Sequence, residues 1–406
     1  MNPIVDILYV AFAAFSIYFT MMFFLLFLAN RKAIHRTPPL KRLPSVTVII
    51  PVFNEEKNIV GTIRAVKKMV YPKNLLEIIV VNDGSSDGTS EAAGAEGVKV
   101  LDKKNGGKAS AFNLGLVHAG GEIVACVDAD SYPEKGALMN AVPFFEEDGV
   151  AAVTTSIFVK GTDTFLQRLQ RIEYILIVWA RKLLEYLDAV YVTPGPLSLY
   201  RKDILKSVGG FDEKNMTEDI EIAWRLMSRG YKVRMSLASK VFTNCPATLK
   251  KFWRQRIRWN IGGIQTSLKY MGTFLRKDFK SLGMFVLPFF MTSFVFSLIG
   301  LGLFLYIVSS SLLNFVAFAG GAYYVGINPI GKFELAVLPD AFTFFGLLVF
   351  LLSIIWIKIS LGVMKTSLRS VGLVELLFFL SLYITVFPFI LMQSIWIFLT
   401  KKKYAW

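Results

Sequence analysis

The chain has 406 residues, 54% of them apolar and 18% charged, and its mean hydropathy of +0.51 excludes a purely soluble protein and calls for several membrane spans. A formal net charge of +15 suits contact with anionic lipid headgroups and anionic nucleotides. No known nucleic-acid-binding pattern occurs and much of the Lys and Arg flanks apolar segments, so a nucleic-acid partner is set aside.

Residues 4–29 hold one charge, Asp6, among many Phe, Leu and Met. The stretch is long enough to cross a bilayer and too long for a signal peptide's apolar core, and no small-residue cleavage site follows, so residues 1–43 are expected to be a permanent span with its flank. Arg31, Lys32, Arg36, Lys41 and Arg42 come next. The bias of positive charge toward the cytoplasm puts this flank inside and the N-terminus outside.

Residues 44–245 have the rhythm of an α/β domain. The β-branched run 46–51 predicts a buried parallel strand, and 55–70 has helical spacing with Asn54 as its cap. Strands follow at 75–81, ending at Asp83-Gly84, and at 98–101. A helix is expected over 108–119 after Gly106-Gly107, then a strand over 123–127 that delivers Asp128 to its end. Such alternation implies a mostly parallel, Rossmann-like sheet that binds ligands beyond its strands' carboxyl ends, where Pro51, Asp83 and Asp128 all fall. Cys126 and Cys245, without Cys-x-x-Cys spacing or a nearby His, read as free buried thiols of a reducing compartment.

Residues 163–187 mix apolar and aromatic side chains with Arg168, Arg171, Arg181 and Lys182; a second such stretch, 248–270, lies within the segment 246–281. Both are expected as amphipathic helices at a membrane surface, the alternative being surface helices of a soluble domain. No Asp, Glu, Lys or Arg occurs between Lys280 and Lys332, and residues 282–406 are expected to be membrane, with spans at 282–309, 340–357 and 373–399. A charge at the bilayer centre is costly, so Lys358 and Glu375 belong near span ends. Residues 310–339, rich in Gly and Tyr, are read as an external loop or a re-entrant pass. Three C-terminal passes leave Lys401–Lys403 outside, whereas four put them inside but expose Lys365 and Arg369.

Four polar signatures carry the chemistry. Asn82-Asp83-Gly84-Ser85 is a common turn. Asp128-Ala129-Asp130 follows a strand, and in an extended segment alternate side chains face one way, so both carboxylates can address one site. Mg²⁺ and Mn²⁺ take oxygen ligands, often one or two carboxylates plus phosphate. Thr217-Glu218-Asp219 opens a helical run, where Thr and acids also serve as ordinary capping groups. Gln255-Arg256-Ile257-Arg258-Trp259 supplies a guanidinium suited to phosphate and an aromatic face, or else interfacial anchors. Lys108 stands at a Gly-rich helix start that favours anions.

The order of these motifs resembles the membrane-integrated branch of the family 2 glycosyltransferases, which includes the poly-N-acetylglucosamine, hyaluronan, chitin and cellulose synthases. Residues 46–55 (VTVIIPVFNE), 80–88 (VVNDGSSDG), 105–113 (NGGKASAFN), 127–130 (VDAD), 217–224 (TEDIEIAW) and 255–259 (QRIRW) carry it, and 246–249 (PATL) adds likeness to the poly-N-acetylglucosamine synthases. The resemblance implies a GT-A fold joined to transmembrane and interfacial helices. It also implies a nucleotide site formed by Asp83 with Pro51, Asn54 and Glu55 on the facing loop, and a donor-phosphate contact from Lys108. Asp128 and Asp130 would hold Mg²⁺ or Mn²⁺. Asp219 would be the general base, with Glu218 beside it in the catalytic set. Arg258 would meet the diphosphate, Trp259 would stack on the acceptor sugar, and Gln255 would orient acceptor or phosphate. Residues 193–197 (TPGPL) match the acceptor-side loop, with Pro194 where the family often has Ser or Cys; residues 364–371 are a candidate gating loop.

The reading is therefore an inverting, metal-dependent transferase in the plasma membrane with a cytoplasmic catalytic domain. It would use a UDP-sugar, UDP-N-acetylglucosamine or UDP-glucose, to extend and export a β-linked polysaccharide. The alternatives are transfer of one sugar to a lipid-linked acceptor and a non-catalytic channel or scaffold.

Overall fold

The computed structural model describes residues 3–326, 341–366 and 372–400. Helix α1 (Pro3–Asn30) is followed by strand β1 (Val46–Val52), α2 (Glu56–Lys67), β2 (Leu76–Asn82), α3 (Thr89–Ala95), β3 (Lys99–Asp102), α4 (Lys108–His118) and β4 (Ile123–Cys126). The four strands and α4 fall within a residue or two of their expected bounds, whereas α2 ends three residues before the expected Val70 and α3 was not expected. β5 (Ser131–Pro133), α5 (Ala137–Ala141), β6 (Val150–Val159), α6 (Phe165–Glu185), β7 (Ser198–Arg201), α7 (Lys202–Ser207), α8 (Glu218–Ser228) and β8 (Lys232–Thr243) complete one sheet of order β3-β2-β1-β4-β7-β6-β8-β5. The β3-β2-β1-β4 half is wholly parallel, as expected; beyond it β7 runs antiparallel to both β4 and β6, so the sheet is mixed.

β1 is buried along its whole length, including Thr47 and Pro51. Ile49 O accepts from Val127 N on the β4 side and Val52 O accepts from Asp83 N on the β2 side. By strand alternation the missing N–H of Pro51 faces the β4 side, past the last paired residue, and costs no ladder bond. Thr47, buried in an otherwise apolar run, is accounted for. Gly121 N donates to its Oγ1 (2.8 Å) and its hydroxyl donates to Glu77 Oε2 (2.6 Å). Asn54 is not the cap of α2. Glu55 holds that position, and Asn54 has φ of 53°, a left-handed turn that Asn tolerates. Both cysteines are buried and free.

After β8 come α9 (Leu249–Lys269), α10 (Leu287–Tyr324), α11 (Ala341–Val363), α12 (Leu373–Phe378) and α13 (Ile384–Leu399). The expected break near residue 310 is absent. A π-turn at Leu282–Val286 leads into α10, which continues to Tyr324, because no charge or proline interrupts the chain after Pro288. A second π-turn, Phe379–Tyr383, joins α12 to α13 one turn before Pro388, where a missing N–H disturbs the helical ladder. Four helical segments, Pro3–Asn30, Leu282–Tyr324, Phe344–Val363 and Leu373–Leu399, are long and apolar enough to cross a membrane. At most 17% of each apolar window is buried within the protein, the surface expected of lipid-facing helices. Most of the expected loop 310–339 beyond Gly326, most of the expected gating loop and Lys401–Lys403 lie outside the described residues.

α6 and α9 are wedged between sheet and spans. One apolar cluster runs from Leu169, Trp179 and Met235 through Phe252 and Ile257 to Ile357, Leu361 and Ile390. Trp179 of α6 is fully buried between Phe27 of α1 and Trp356 of α11, with ring centroids 5.4 and 5.6 Å away. Replacing Thr47 by Val keeps the shape but orphans Gly121 N–H and leaves Glu77 Oε2 with Gly120 N alone; a loss of about 1–3 kcal/mol is expected, read as a lower unfolding temperature in detergent.

Candidate functional site

The loops after β1 and β2 are laced together at the carboxyl edge of the sheet. Asn54 N donates to Ser85 Oγ (2.9 Å), Ser86 N donates to Asn54 Oδ1 (2.9 Å), and Glu55 N donates to Thr89 Oγ1 (2.9 Å). The Glu55 carboxylate accepts from Asn58 Nδ2 (2.7 Å). Asp83, only 3% exposed, accepts from Lys103 Nζ (2.6 Å), Gly106 N (2.9 Å) and Gly107 N (2.7 Å). Its carboxylate thus shapes the Gly-rich turn that starts α4, a structural duty that the turn motif does not reveal.

That turn places Lys108 at the first position of α4. Lys108 Nζ lies 2.6 Å from Asp128 Oδ1 and 3.1 Å from Glu218 Oε1, so residues from three separate motifs meet at one ammonium. Burial would lower its pKa, but the charges of Asp128, Glu218 and Asp219 raise it above the usual lysine value. Burial likewise opposes ionisation of Glu218, yet Lys108, a backbone hydrogen bond and Arg258 hold its carboxyl below the usual range. Asp219 differs. Burial, then the Glu218 charge, push it up to about 6 against the pull of Lys108 and Arg258. Asp130 is also raised to about 6 by burial and by the charges of Asp128 and Glu55. Two neighbouring carboxyls with divergent ionisation are the arrangement expected of an acid–base site.

The start of α8 is held from two sides. Thr193 donates from both N (3.1 Å) and Oγ1 (3.0 Å) to the carbonyl of Asp219. Gly262 of α9 packs so closely on Thr217 that a Cβ there would overlap it. Thr217 occupies the N-cap position without making the side-chain capping bond, but Asp219 Oδ1 accepts from Ile220 N (2.9 Å), so the acids of this motif, and not its threonine, serve the helix start. Gly195, between Thr193 and the Lys108–Asp128 pair, likewise has no room for a Cβ, and its carbonyl accepts from Asp128 N (3.0 Å).

The pentad lies on α9. Arg258 is close enough for its charge to act on Glu218 and Asp219. Gln255 has a buried Oε1 without a hydrogen-bond partner among the described residues. Trp259 lies under the guanidinium of Arg256, 4.1 Å from its ring centroid. Arg256, only 3% exposed, also donates to Glu173 Oε2 of α6 (2.7 Å), the oxygen to which Tyr383 OH of the second π-turn donates (2.6 Å). Sequence reasoning missed Glu173, Arg256 and Tyr383 as a unit, as well as Gly195 and Gly262. Partners up to 210 residues apart leave no local signal. Lys108, Asp128, Asp130, Glu55, Glu218, Asp219 and Arg258 do converge electrostatically; Asp83 joins them through the backbone of the Gly-rich turn, and Pro51 remains within β1.

Residues 47–209 match the family described as Glycosyl transferase family 2. That segment is therefore similar to family 2 glycosyltransferase domains. It is 34% identical over 269 residues to the "Probable glycosyltransferase YdaM" of Bacillus subtilis (strain 168), covering 63% of this chain and 64% of that protein. It is also 31% identical over 259 residues to the "Poly-beta-1,6-N-acetyl-D-glucosamine synthase" of Staphylococcus aureus (strain COL), covering 61% of this chain and 62% of the relative. The chain thus spans less than two thirds of the length of these curated relatives. In fold it is similar to the mannosyltransferase PcManGT from Pyrobaculum calidifontis, solved with GDP-Man and Mn²⁺, with a TM-score of 0.63, 20% identity and 98% and 100% of the two chains covered. That likeness establishes the GT-A architecture.

A methyl group at Gly195 must displace the flexible ends of Lys108 and Asp128 and leave the sheet intact. Gly195→Ala is expected to keep the wild-type unfolding temperature within a few degrees while lowering turnover at least tenfold, as measured by nucleotide release.

Proposed function

We propose that this protein is an inverting glycosyltransferase that moves a sugar from a UDP-sugar, UDP-N-acetylglucosamine or UDP-glucose, to the hydroxyl of a growing β-linked saccharide at the inner face of the plasma membrane. The observation that carries the reading is the meeting of Asp128 and Glu218 on Lys108, with the raised carboxyl of Asp219 alongside. Support comes from the poly-N-acetylglucosamine synthase relative and from the nucleotide sugar in the similar mannosyltransferase structure. The four candidate spans would carry the product outward.

Asp128 and Asp130 fit a divalent cation. They are a close acidic pair in which burial, then the Asp128 charge, raises the Asp130 carboxyl, and Mg²⁺ and Mn²⁺ commonly take one or two carboxylates with phosphate oxygens. When bound, such an ion offsets the charge that builds on the departing diphosphate. Lys108, already placed between two carboxylates, is positioned to turn to donor phosphate, and Arg258 supplies a second cation to that group. The loop lacing of residues 54, 55 and 83–89 frames the nucleotide. Asp219 takes the proton of the acceptor hydroxyl as that oxygen attacks the anomeric carbon, while ionised Glu218 keeps Lys108 in place. Direct displacement inverts configuration, so an α-linked donor gives a β-linkage. Trp259, pressed under Arg256, offers its other face to the acceptor ring.

Asp219→Asn removes the base without disturbing the nucleotide loops. A drop of about 10²–10⁴-fold in transfer with near-normal UDP binding is expected, checked by calorimetry beside a product assay across UDP-sugars. Because Asp219 must be ionised, kcat/KM of the wild type should fall as pH drops through about 6. A flat profile from pH 5 to 8 would remove Asp219 from the role.

A further inference from the structure

Two arginines pair with buried glutamates, and they are bonded differently. Arg225 of α8 meets Glu221 through both Nε and Nη2, and its Nη1 donates to the carbonyls of Val208 (3.2 Å) and Gly210 (2.7 Å). Every nitrogen of that guanidinium is occupied, as expected of a pair that serves only the fold. Arg256 of α9 gives Glu173 Oε2 a single bond from Nη2 (2.7 Å), and its Nε and Nη1 are buried without hydrogen-bond partners among the described residues. This guanidinium forgoes the bidentate geometry that binds a carboxylate best. Its carbon lies instead 4.1 Å from the ring centroid of Trp259, one turn along α9, well inside the range of a cation–π contact.

What fixes Arg256 there comes from the side of the spans. Tyr383 OH donates to the same Glu173 Oε2 (2.6 Å), and the Tyr383 ring lies 5.2 Å from Phe379 and 5.6 Å from Phe252, centroid to centroid. Tyr383 belongs to Leu373–Leu399, one of the segments long and apolar enough to cross a bilayer. A chain of three contacts thus runs from that segment through Glu173 of α6 and Arg256 to one face of Trp259. Trp259 is itself half-buried, so its ring is partly open. An apolar packing of the same volume would hold the helices together as well; the polar chain adds a fixed position for the ring. None of its members hydrogen-bonds to Lys108, Asp128, Glu218 or Asp219 among the described residues.

We propose that Glu173 and Tyr383 are positioning residues for the acceptor: through Arg256 they set the plane of the Trp259 ring on which the acceptor sugar stacks, so a membrane-spanning segment governs acceptor binding apart from donor binding. This rests on the reading of Trp259 as the acceptor platform. An indole free to change rotamer must be ordered by each acceptor that binds, whereas one already pinned is not, and the avoided ordering appears as affinity.

The test uses the full chain in nanodiscs with Mn²⁺, labelled with 5-fluorotryptophan. The donor is UDP-N-acetylglucosamine or UDP-glucose, and the acceptor is a β-linked trisaccharide of the same sugar. Tyr383→Phe removes one hydroxyl and keeps the ring packing, so its unfolding temperature should stay within a few degrees of the wild type. It should raise KM for the acceptor about fivefold to tenfold while KM for the UDP-sugar stays within about twofold. It should also move the fluorine resonance of Trp259, identified by its loss in Trp259→Phe, which acceptor binding moves in the wild type. Glu173→Gln should shift both readouts in the same direction. Equal rises in the two KM values, an unchanged acceptor KM, or an unmoved Trp259 resonance overturns the positioning role and leaves glycosyl transfer standing. A wild-type Trp259 resonance that ignores the acceptor overturns the platform reading and this inference with it. Absence of transfer from both donors overturns all three.

Discussion

Lys108 sits between Asp128, at the end of a central strand, and Glu218, at the start of a helix more than a hundred residues later. A half-buried ammonium is held by two carboxylates from different elements only if β4, α4 and α8 keep a fixed relative position. The rest of the site follows from that contact. Asp219, next to Glu218, becomes the carboxyl that resists ionisation because it is buried beside that negative charge. Asp83 acts one step earlier, closing the turn that fixes where α4 begins.

A second buried charge group joins the chemistry to the membrane. Glu173 accepts from Arg256 of α9 and from Tyr383 in the π-turn ahead of α13, so one carboxylate touches a helix beneath the sheet, the pentad helix and a candidate span. Arg256 in turn covers Trp259. A shift of α13 would therefore be felt at the ring of Trp259 through Glu173 and Arg256. The aromatic packing of Trp179 on Phe27 and Trp356 holds the same helices together on the apolar side.

Much of this was legible from residue order. The parallel half of the sheet, the helix after Gly106-Gly107 and the two amphipathic helices come out within a residue or two, since period-2 and period-3.6 apolar patterns report burial directly. Asn54 was misjudged because capping preference and left-handed turn preference favour the same side chain, and only backbone geometry separates them. The run after residue 309 looked like a loop from its Gly and Tyr content, yet α10 continues through it, because composition is a weak guide where nothing breaks the helix.

What the amino-acid sequence by itself determined was the inventory: apolar lengths that fit a bilayer, strands delivering acids to one edge, and the motif order of a family 2 transferase. What the tertiary structure alone decided was pairing. Lys108 chooses Asp128 and Glu218, Asp83 turns inward to backbone amides, and Arg256 takes Glu173. Charges act over a few ångströms of space regardless of separation along the chain, so identities can be read from order but neighbours require the fold.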